Sequence, residues 1–328
     1  MSDRQLARML ALLAAALAPC TPIAAQKLRF GVADASLVVI AESSGSKALD
    51  EHLVLHEFRV IETLKGAAEE TLTVIEHAHV ADAPAPQRDG RRLLCLVPDR
   101  RAATPKSGGP FWRMTGYAGD NPPIDTSPAS DDVLRLARTL VDAERGLDQA
   151  ELADRLVTLA LSGRAPAQRE AIESLREREA LRRRIPRIEL DALLARAVAE
   201  TGDVELKIAL GSLCAEAGMR NTVEALCSAL THCQDERFAK ALGRIAAHAH
   251  GERATAVLNP FLQQARGATR DALLLALGAT ATDSALAQLI QLRERQGAQP
   301  AIDAALRAHG SQRALEIVEP KRKDGGPR

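Results

Sequence analysis

The stretch FAKALG, residues 238–243, carries the pattern that decides the predicted fold of the second half of the chain. Its last three residues, Ala-Leu-Gly, occur also at 209–211 and 276–278, and Ala-Leu-Arg follows at 305–307. The four copies begin 32, 35 and 29 residues apart. Repeats of this length are typical of stacked helix pairs, because one pair cannot bury its apolar face alone.

Each copy is predicted to lie on the buried face of a helix. A large apolar residue stands three positions before the alanine, so it shares one helical face with the alanine and the leucine. A second apolar helix is predicted after every copy. The predicted core residues of the repeats are Leu206, Ala209, Leu210, Phe238, Ala241, Leu242, Leu273, Ala276, Leu277, Ile302, Ala305 and Leu306.

These helices resemble the HEAT-repeat family, in its short bacterial form related to phycobilisome-lyase-type repeats. The resemblance covers residues 190–318 well and residues 131–189 weakly. It implies an α-α solenoid over residues 126–318. It also implies a scaffold that binds other proteins, and it says almost nothing about chemistry.

The later units depart from the repeat pattern. Arg307 replaces the glycine in the last unit, as is expected of an atypical capping repeat. Thr280 and His309 stand where Leu213 and Ile245 stand in the earlier units. We therefore expect looser packing around these two polar residues.

Polar residues predict where several repeat helices begin. Asp203, Asp235 and Asp271 are each expected to open a first helix of a unit, and Asn221 with Glu224 a second one. A side-chain oxygen at this position accepts a hydrogen bond from one of the unpaired N–H groups of the first turn.

The first half of the chain has the alternation of a small β domain, predicted over residues 26–125. The candidate strands are 36–42, 53–64, 71–80, 92–98 and 111–117. Turn residues separate these segments, which favours a small antiparallel barrel or sandwich. The predicted fold class is therefore α+β with two domains. The stretch FRVIETLKG, residues 58–66, resembles a strand of exported inhibitor-like domains, which implies an oligonucleotide/oligosaccharide-binding-like (OB-like) barrel.

The first 25 residues are predicted to be a signal peptide. Two arginines precede the uncharged run Met9–Ala18, and small residues up to Ala25 suit a cleavage site. A periplasmic or secreted protein without a stable membrane span follows from this prediction. A lipid-modified Cys20 is the alternative, although Pro19 departs from the small residue of that pattern. The short polar tail, residues 319–328, is predicted to be disordered.

Composition excludes several classes of function. Lys plus Arg and Asp plus Glu both number 43, so the net charge of zero argues against a nucleic-acid partner. Aromatic residues make up 2%, which excludes a stacking platform for bases along the chain. No phosphate loop, dinucleotide fingerprint or hydrolase motif is present in the sequence, and no cofactor is expected. The favoured function is a non-enzymatic scaffold or adaptor with a protein partner.

The alternative is a metal-binding or ligand-binding β domain, possibly enzymatic, that uses His77 and His79. Residues i and i+2 of a strand point to the same face, which suits two metal ligands. His52 and His56 lie on the preceding candidate strand. Solvated histidines remain the competing interpretation, since a metal site needs three or four ligands. In a third alternative, the β domain only caps the exposed end of the solenoid.

Two further features leave alternatives open. Cys214 and Cys227 stand at similar heights on consecutive helices, so a disulfide between them is a candidate in an oxidising compartment. Two small buried side chains are the other interpretation. The arginine-rich stretch 176–187 is interpreted as a solvated face, and a site for anionic peptides or lipid headgroups is its alternative.

Overall fold

The computed structural model describes residues 28–48, 53–77, 90–99, 111–115, 123–125 and 127–319. The chain divides into two compact units, Met1–Ser127 and Pro128–Arg328. The predicted signal peptide, residues 1–25, lies outside the described residues, and so does the predicted tail beyond Glu319.

Strands dominate the described part of the first unit, which confirms a small β domain and selects the barrel from the predicted barrel or sandwich. The elements are α1 (Leu28–Asp34), β1 (Leu37–Ala48), β2 (Leu53–Lys65), β3 (Thr71–His77), β4 (Arg91–Pro98), β5 (Phe111–Met114) and β6 (Pro123–Ile124). Five strands close in the order β1-β2-β3-β5-β4, and β4 returns to β1. The two-residue β6 extends the sheet from β4.

One strand pair corrects the prediction of an antiparallel barrel. β3 and β5 run parallel, with Thr73 opposite Phe111 and Val74 opposite Trp112. The reason is arithmetic, because strand direction cannot alternate around a closed ring with an odd number of strands. One neighbouring pair in a five-stranded ring must therefore be parallel.

The barrel interior is filled by alternate residues of the strands. The core cluster comprises Leu37, Val39, Ala41, Phe58, Leu72, Val74, Leu94 and Leu96. From β2, Phe58 is fully buried in this cluster, and Val60 packs against it. Burying alternate positions of each strand leaves the opposite face for solvent or for a covering element.

The short helix α1 was not predicted from the sequence, and it contacts the outer side of β4. A Cβ atom added to Gly31 would lie 3.5 Å from Cys95 Sγ, so the helix sits close to the strand. Leu93 and Cys95 are buried on the outer side of β4, while Leu94 and Leu96 are buried inside the barrel. Burial on both sides explains why this strand is a continuous apolar run rather than an alternating one.

The described part of the second unit is helical, as its period of 3.6 residues predicts, which confirms the α+β class. The first seven helices are α2 (Pro128–Glu144), α3 (Gln149–Ser162), α4 (Ala167–Glu177), α5 (Glu179–Arg182), α6 (Arg187–Ala197), α7 (Val204–Glu216) and α8 (Thr222–Ala229). The remaining helices are α9 (Glu236–His250), α10 (Ala254–Gln264), α11 (Gly267–Ala279), α12 (Asp283–Gln296), α13 (Pro300–His309) and α14 (Gln312–Val318).

Alternate helices contact one another along this unit. We call α2, α4, α7, α9, α11 and α13 the first helices, and each contacts the next one in that series. The helices α3, α6, α8, α10, α12 and α14 are the second helices, and each contacts the first helix of its own pair or of the next pair. The four Ala-Leu-Gly or Ala-Leu-Arg copies lie in α7, α9, α11 and α13.

The predicted helix starts are partly correct. Asp203 and Asp235 cap α7 and α9, accepting hydrogen bonds from the N–H groups two residues later. Asp271 was predicted wrongly, because α11 already begins at Gly267 and Asp271 lies inside it. Asn221 precedes α8, but its side chain makes no capping hydrogen bond. Its Oδ1 accepts a hydrogen bond from the Arg187 guanidinium at 3.4 Å instead.

The predicted repeat core is completely buried in the last three repeats and partly buried in the first repeat. Leu210 and all nine predicted residues of α9, α11 and α13 are buried. Leu206 and Ala209 are only half-buried, which corrects their assignment to the core. Their neighbour Lys207 is 3% exposed, and its Nζ donates to the Glu200 carbonyl at 3.3 Å. The equivalent position of α9, Ala239, is buried as well, so α7 departs from α9 in the exposure of Leu206 and Ala209.

The glycines of two repeats allow direct contact between helix backbones. A Cβ atom added to Gly243 of α9 would lie 2.1 Å from the Ala276 carbonyl oxygen of α11. At Gly278 of α11 the Ala305 carbonyl oxygen of α13 would be 2.0 Å away. Any side chain at these positions would force the helices apart. The glycine of one unit therefore packs directly on the alanine of the next.

The polar residues of the last two units are buried and hydrogen-bonded. Thr280 and His309, where looser packing was expected, are 5% and 7% exposed. The Thr280 hydroxyl donates to the Leu277 carbonyl at 2.7 Å, and His309 Nε2 donates to the Thr282 carbonyl at 3.1 Å. At these two positions, hydrogen bonds replace the apolar contacts that Leu213 and Ile245 make in the earlier repeats.

Candidate interaction surface

A groove of about 580 Å³ crosses the first helices α9, α11 and α13. We call it the alanine groove, because six alanines line it: Ala239, Ala268, Ala272, Ala301, Ala304 and Ala308. Four charged residues also line it: Glu236, Lys240, Asp271 and Arg307. Glu236 and Lys240 form an ion pair, and Arg307 Nε lies 3.4 Å from a Glu319 carboxylate oxygen. The alanine groove thus combines an apolar lining of methyl groups with charges of both signs.

A second groove, of about 360 Å³, lies on the first helices α4, α7 and α9. We call it the arginine groove, after Arg176 and Arg244. The Arg176 guanidinium lies 2.7 Å from Glu216 and 3.0 Å from Glu173. Burial opposes the charged form of Arg176, but these two carboxylates outweigh that effect and raise its pKa.

The two grooves share one equivalent lining position of the repeats. The residue immediately before the repeat alanine lines a groove in all four units: Ile208, Lys240, Leu275 and Ala304. Because equivalent residues of stacked units share one direction, this position marks a common face of the first helices. The sequence pattern indicated the buried face, but the grooved face could not be identified without the contacts between helices.

Ion pairs join the starts of successive first helices, and the sequence analysis missed them. Arg169 of α4 pairs with Asp203 at the start of α7, and Arg237 of α9 lies 3.1 Å from Glu205. The hydrogen bond from Arg237 holds the pKa of Asp235 below its usual range. The partners stand 34 and 32 residues apart in the sequence, close to the repeat period. This spacing is the signal from which the ion pairs could have been predicted.

Of the histidines considered as metal ligands, only His77 and His56 lie among the described residues. His77 is the last residue of β3 and pairs with Leu53, while His79 and His52 lie outside the described residues. His56 is buried in β2, with its ring centroid 6.3 Å from that of Phe58. Within the described part of the chain, no group of three or more His, Cys, Asp or Glu side chains is arranged to hold a metal ion.

Of the two interpretations of Cys214 and Cys227, the structure has the buried side chains and not the candidate disulfide, since both thiols are free. The Cys214 thiol faces α6 rather than α8, since it donates to the Leu190 carbonyl at 3.8 Å. Burial raises the pKa of both thiols to about 12. Neither thiol is therefore activated as a nucleophile, because the thiolate is the reactive form.

The arginine-rich stretch 176–187 does not form one solvated helical face. The stretch is divided between α4 and α5, because the backbone is extended at Arg178. Arg183 and Arg187 are exposed and pair with Glu179 and Asp191, as a solvated face requires. Arg176 instead turns into the arginine groove.

The chain matches no protein-family model, no curated protein and no solved structure. Among the described residues, no helix has the length and apolar character needed to cross a membrane.

Proposed function

We propose that the protein is an exported, non-enzymatic scaffold that holds a segment of a partner protein against its first helices. In this proposal the helix pairs form a HEAT-like α-solenoid. The observation that carries it is the common face, where the residue before each repeat alanine lines a groove in all four units. An extended surface of this kind is the usual binding site of stacked-repeat proteins.

The lining of the alanine groove favours a polypeptide as the ligand. Alanine side chains leave depth for the side chains of a partner segment and supply an apolar floor. Charges of both signs at the edges suit the mixed charges of a protein surface. The aromatic content of 2% offers little on which bases or sugar rings could stack.

Two finer assignments belong to this proposal. The closed strand order with a parallel β3–β5 pair supports an OB-like barrel for the first unit. The order of charged residues, apolar run and small residues within positions 1–25 supports export to the periplasm or the exterior.

Site-specific cross-linking tests the proposed surface. A photo-reactive amino acid is placed at Ala304, which is exposed in the alanine groove, and in a matched variant at Ala287, which is exposed on the second helix α12. Both alanines lie inside helices, so both variants are expected to fold. After irradiation in native cell envelopes, we expect one discrete cross-linked protein at Ala304 and none at Ala287. Equal cross-linking at both positions, or none at either, would contradict the proposed function.

A further inference from the structure

The helix α9 contributes to both grooves. In the first turns of α9, Glu236 and Lys240 line the alanine groove. Towards the C-terminal end of the helix, Arg244 and His248 line the arginine groove. Lys240, Arg244 and His248 are spaced by four residues, so they form one basic ridge along the helix. From Glu236 to His248 the helix rises about 18 Å, at 1.5 Å per residue. An extended segment of about six residues covers that distance.

The charges along this ridge are not balanced to the same degree. Lys240 pairs with Glu236, and the Glu216 carboxylate is engaged by Arg176. Arg244 is exposed, and its Nε donates to the Lys240 carbonyl of its own helix at 3.4 Å. Among the described residues, no carboxylate lies within ion-pair distance of Arg244. The arginine groove therefore presents an uncompensated positive charge at Arg244.

The alanine groove presents the opposite charge at Asp271. This carboxylate is exposed on α11, and the described residues place no cation within ion-pair distance of it. Arg307, the other cation of the groove besides Lys240, already contacts Glu319. The alanine groove thus has an unmatched anion, and the arginine groove has an unmatched cation.

We infer that the partner segment is itself bipolar, with acidic side chains against Arg244 and His248 and a basic side chain against Asp271. The segment crosses α9 from one groove to the other. This inference rests on the proposed function and specifies the chemistry of the partner. Charge complementarity of this kind fixes orientation and excludes wrongly charged partners.

Short synthetic peptides test this inference with the full chain. The probes are fluorescent peptides EEASASKK and KKASASEE, which cover both chain directions, and the neutral peptide ASASASAS. Fluorescence anisotropy at low salt gives their affinities, because exposed charges are screened at high salt. We expect one bipolar peptide to bind at least about fivefold more tightly than the neutral peptide.

Charge reversal supplies the decisive comparison. The Arg244→Glu variant should bind that bipolar peptide about tenfold more weakly than the wild-type protein does. It should bind KKASASKK more tightly than the wild-type protein does. Arg253→Glu is the matched control, since Arg253 is exposed in the turn after α9 and lines neither groove. Equal binding of bipolar and neutral peptides, or no effect of Arg244→Glu, would overturn the inference. If the Ala304 cross-link persists in that case, the charge assignment fails and the proposed surface stands.

Discussion

The contact between α9 and α11 differs from the contact between α7 and α9, although both helix pairs carry the same Ala-Leu-Gly tripeptide. Gly243 of α9 lies against the Ala276 backbone of the next first helix, with no room for a methyl group. Gly211 of α7 faces the flexible end of Leu226 on α8, at 3.0 Å from the position of an added Cβ atom. A repeated tripeptide therefore does not guarantee a repeated contact.

The burial of α7 differs from that of α9 as well. Leu206 and Ala209 are half-exposed in α7, while their counterparts in α9 are buried. Two residues before the repeat alanine each of the three helices buries a side chain, but it is Lys207 in α7, Ala239 in α9 and Leu274 in α11. Four predictions test or sharpen this comparison, the largest expected effect first.

Replacing Gly278 by alanine should give the largest effect. The new methyl group would lie 2.0 Å from the Ala305 carbonyl oxygen, and a helix backbone cannot yield as a side chain does. We expect the free energy of unfolding to fall by about 3 kcal/mol, the upper part of the range for overpacking. Urea denaturation measures it.

Gly211→Ala is the matched control in α7. The terminal methyl groups of Leu226 can shift by a few tenths of an ångström, and alanine favours a helix over glycine by about 1 kcal/mol. The net change in stability should therefore stay within about 1 kcal/mol. An equal loss in both variants would show that the two helix contacts are equivalent after all.

Two substitutions of Lys207 separate its packing from its charge. Lys207→Ala removes a buried side-chain stem, and we expect a loss of about 2 kcal/mol in the free energy of unfolding. Lys207→Met keeps the stem and removes only the charge and the hydrogen bond to Glu200, so it should cost about 1 kcal/mol or less. If methionine costs as much as alanine, the charged group rather than the packing holds the first turns of α7 in place.

The ion pair between Arg169 and Asp203 predicts a small effect that depends on pH. Burial opposes the charged form of Asp203, but the hydrogen bonds from Arg169 and from the Glu205 N–H outweigh it and lower the pKa. A lowered carboxyl pKa stabilises the folded state above the unfolded value near roughly 4, and this contribution disappears as the pH falls through the folded value.

Asp203→Asn retains a good capping side chain and removes this titration. Because the Asp203 side chain is 46% exposed, we expect a loss of no more than about 0.5 kcal/mol at pH 7. The difference from the wild-type protein should vanish near pH 2, as measured by urea denaturation at both pH values. Asp271→Asn, an exposed aspartate that caps no helix, serves as the control. A difference that persists in acid would contradict an electrostatic origin.

The last prediction concerns the reactivity of the two cysteines near the start of the repeats. Without reductant, Cys214 and Cys227 of the folded protein should react slowly with iodoacetamide at pH 8, because burial raises the pKa of both thiols. After unfolding, still without reductant, both should be alkylated completely, as mass spectrometry of tryptic peptides shows. A peptide pair linked by a disulfide would contradict the free thiols of the structure and would support the candidate pairing instead.

The fold could be predicted where one local pattern decides the structure. The period of 3.6 residues, the caps at Asp203 and Asp235, and the buried faces of α9, α11 and α13 follow from residues close together in the chain. The strands β1 to β4 follow in the same way from alternation and turn residues. The helix α1 was missed because its burial depends on the distant strand β4.

The candidate surface could not be predicted to the same extent. Which face of a first helix remains open depends on how closely its neighbours approach, and the Gly243 and Gly278 contacts that set this distance link residues about 30 positions apart. The burial of Lys207 and the partial exposure of Leu206 and Ala209 in α7 likewise depart from what the apolar pattern predicts. The direction in which Cys214 points depends on the packing of α6 against α7.

The backbone contacts at Gly243 and Gly278 have a further consequence for the alanine groove. They fix the separation of α11 from both neighbouring helices, so the cleft cannot widen without losing its tightest contacts. Under the proposed function the groove is therefore preformed, and only the partner segment loses conformational freedom on binding. We then expect diffusional encounter and orientation, rather than rearrangement of this protein, to limit the rate of complex formation.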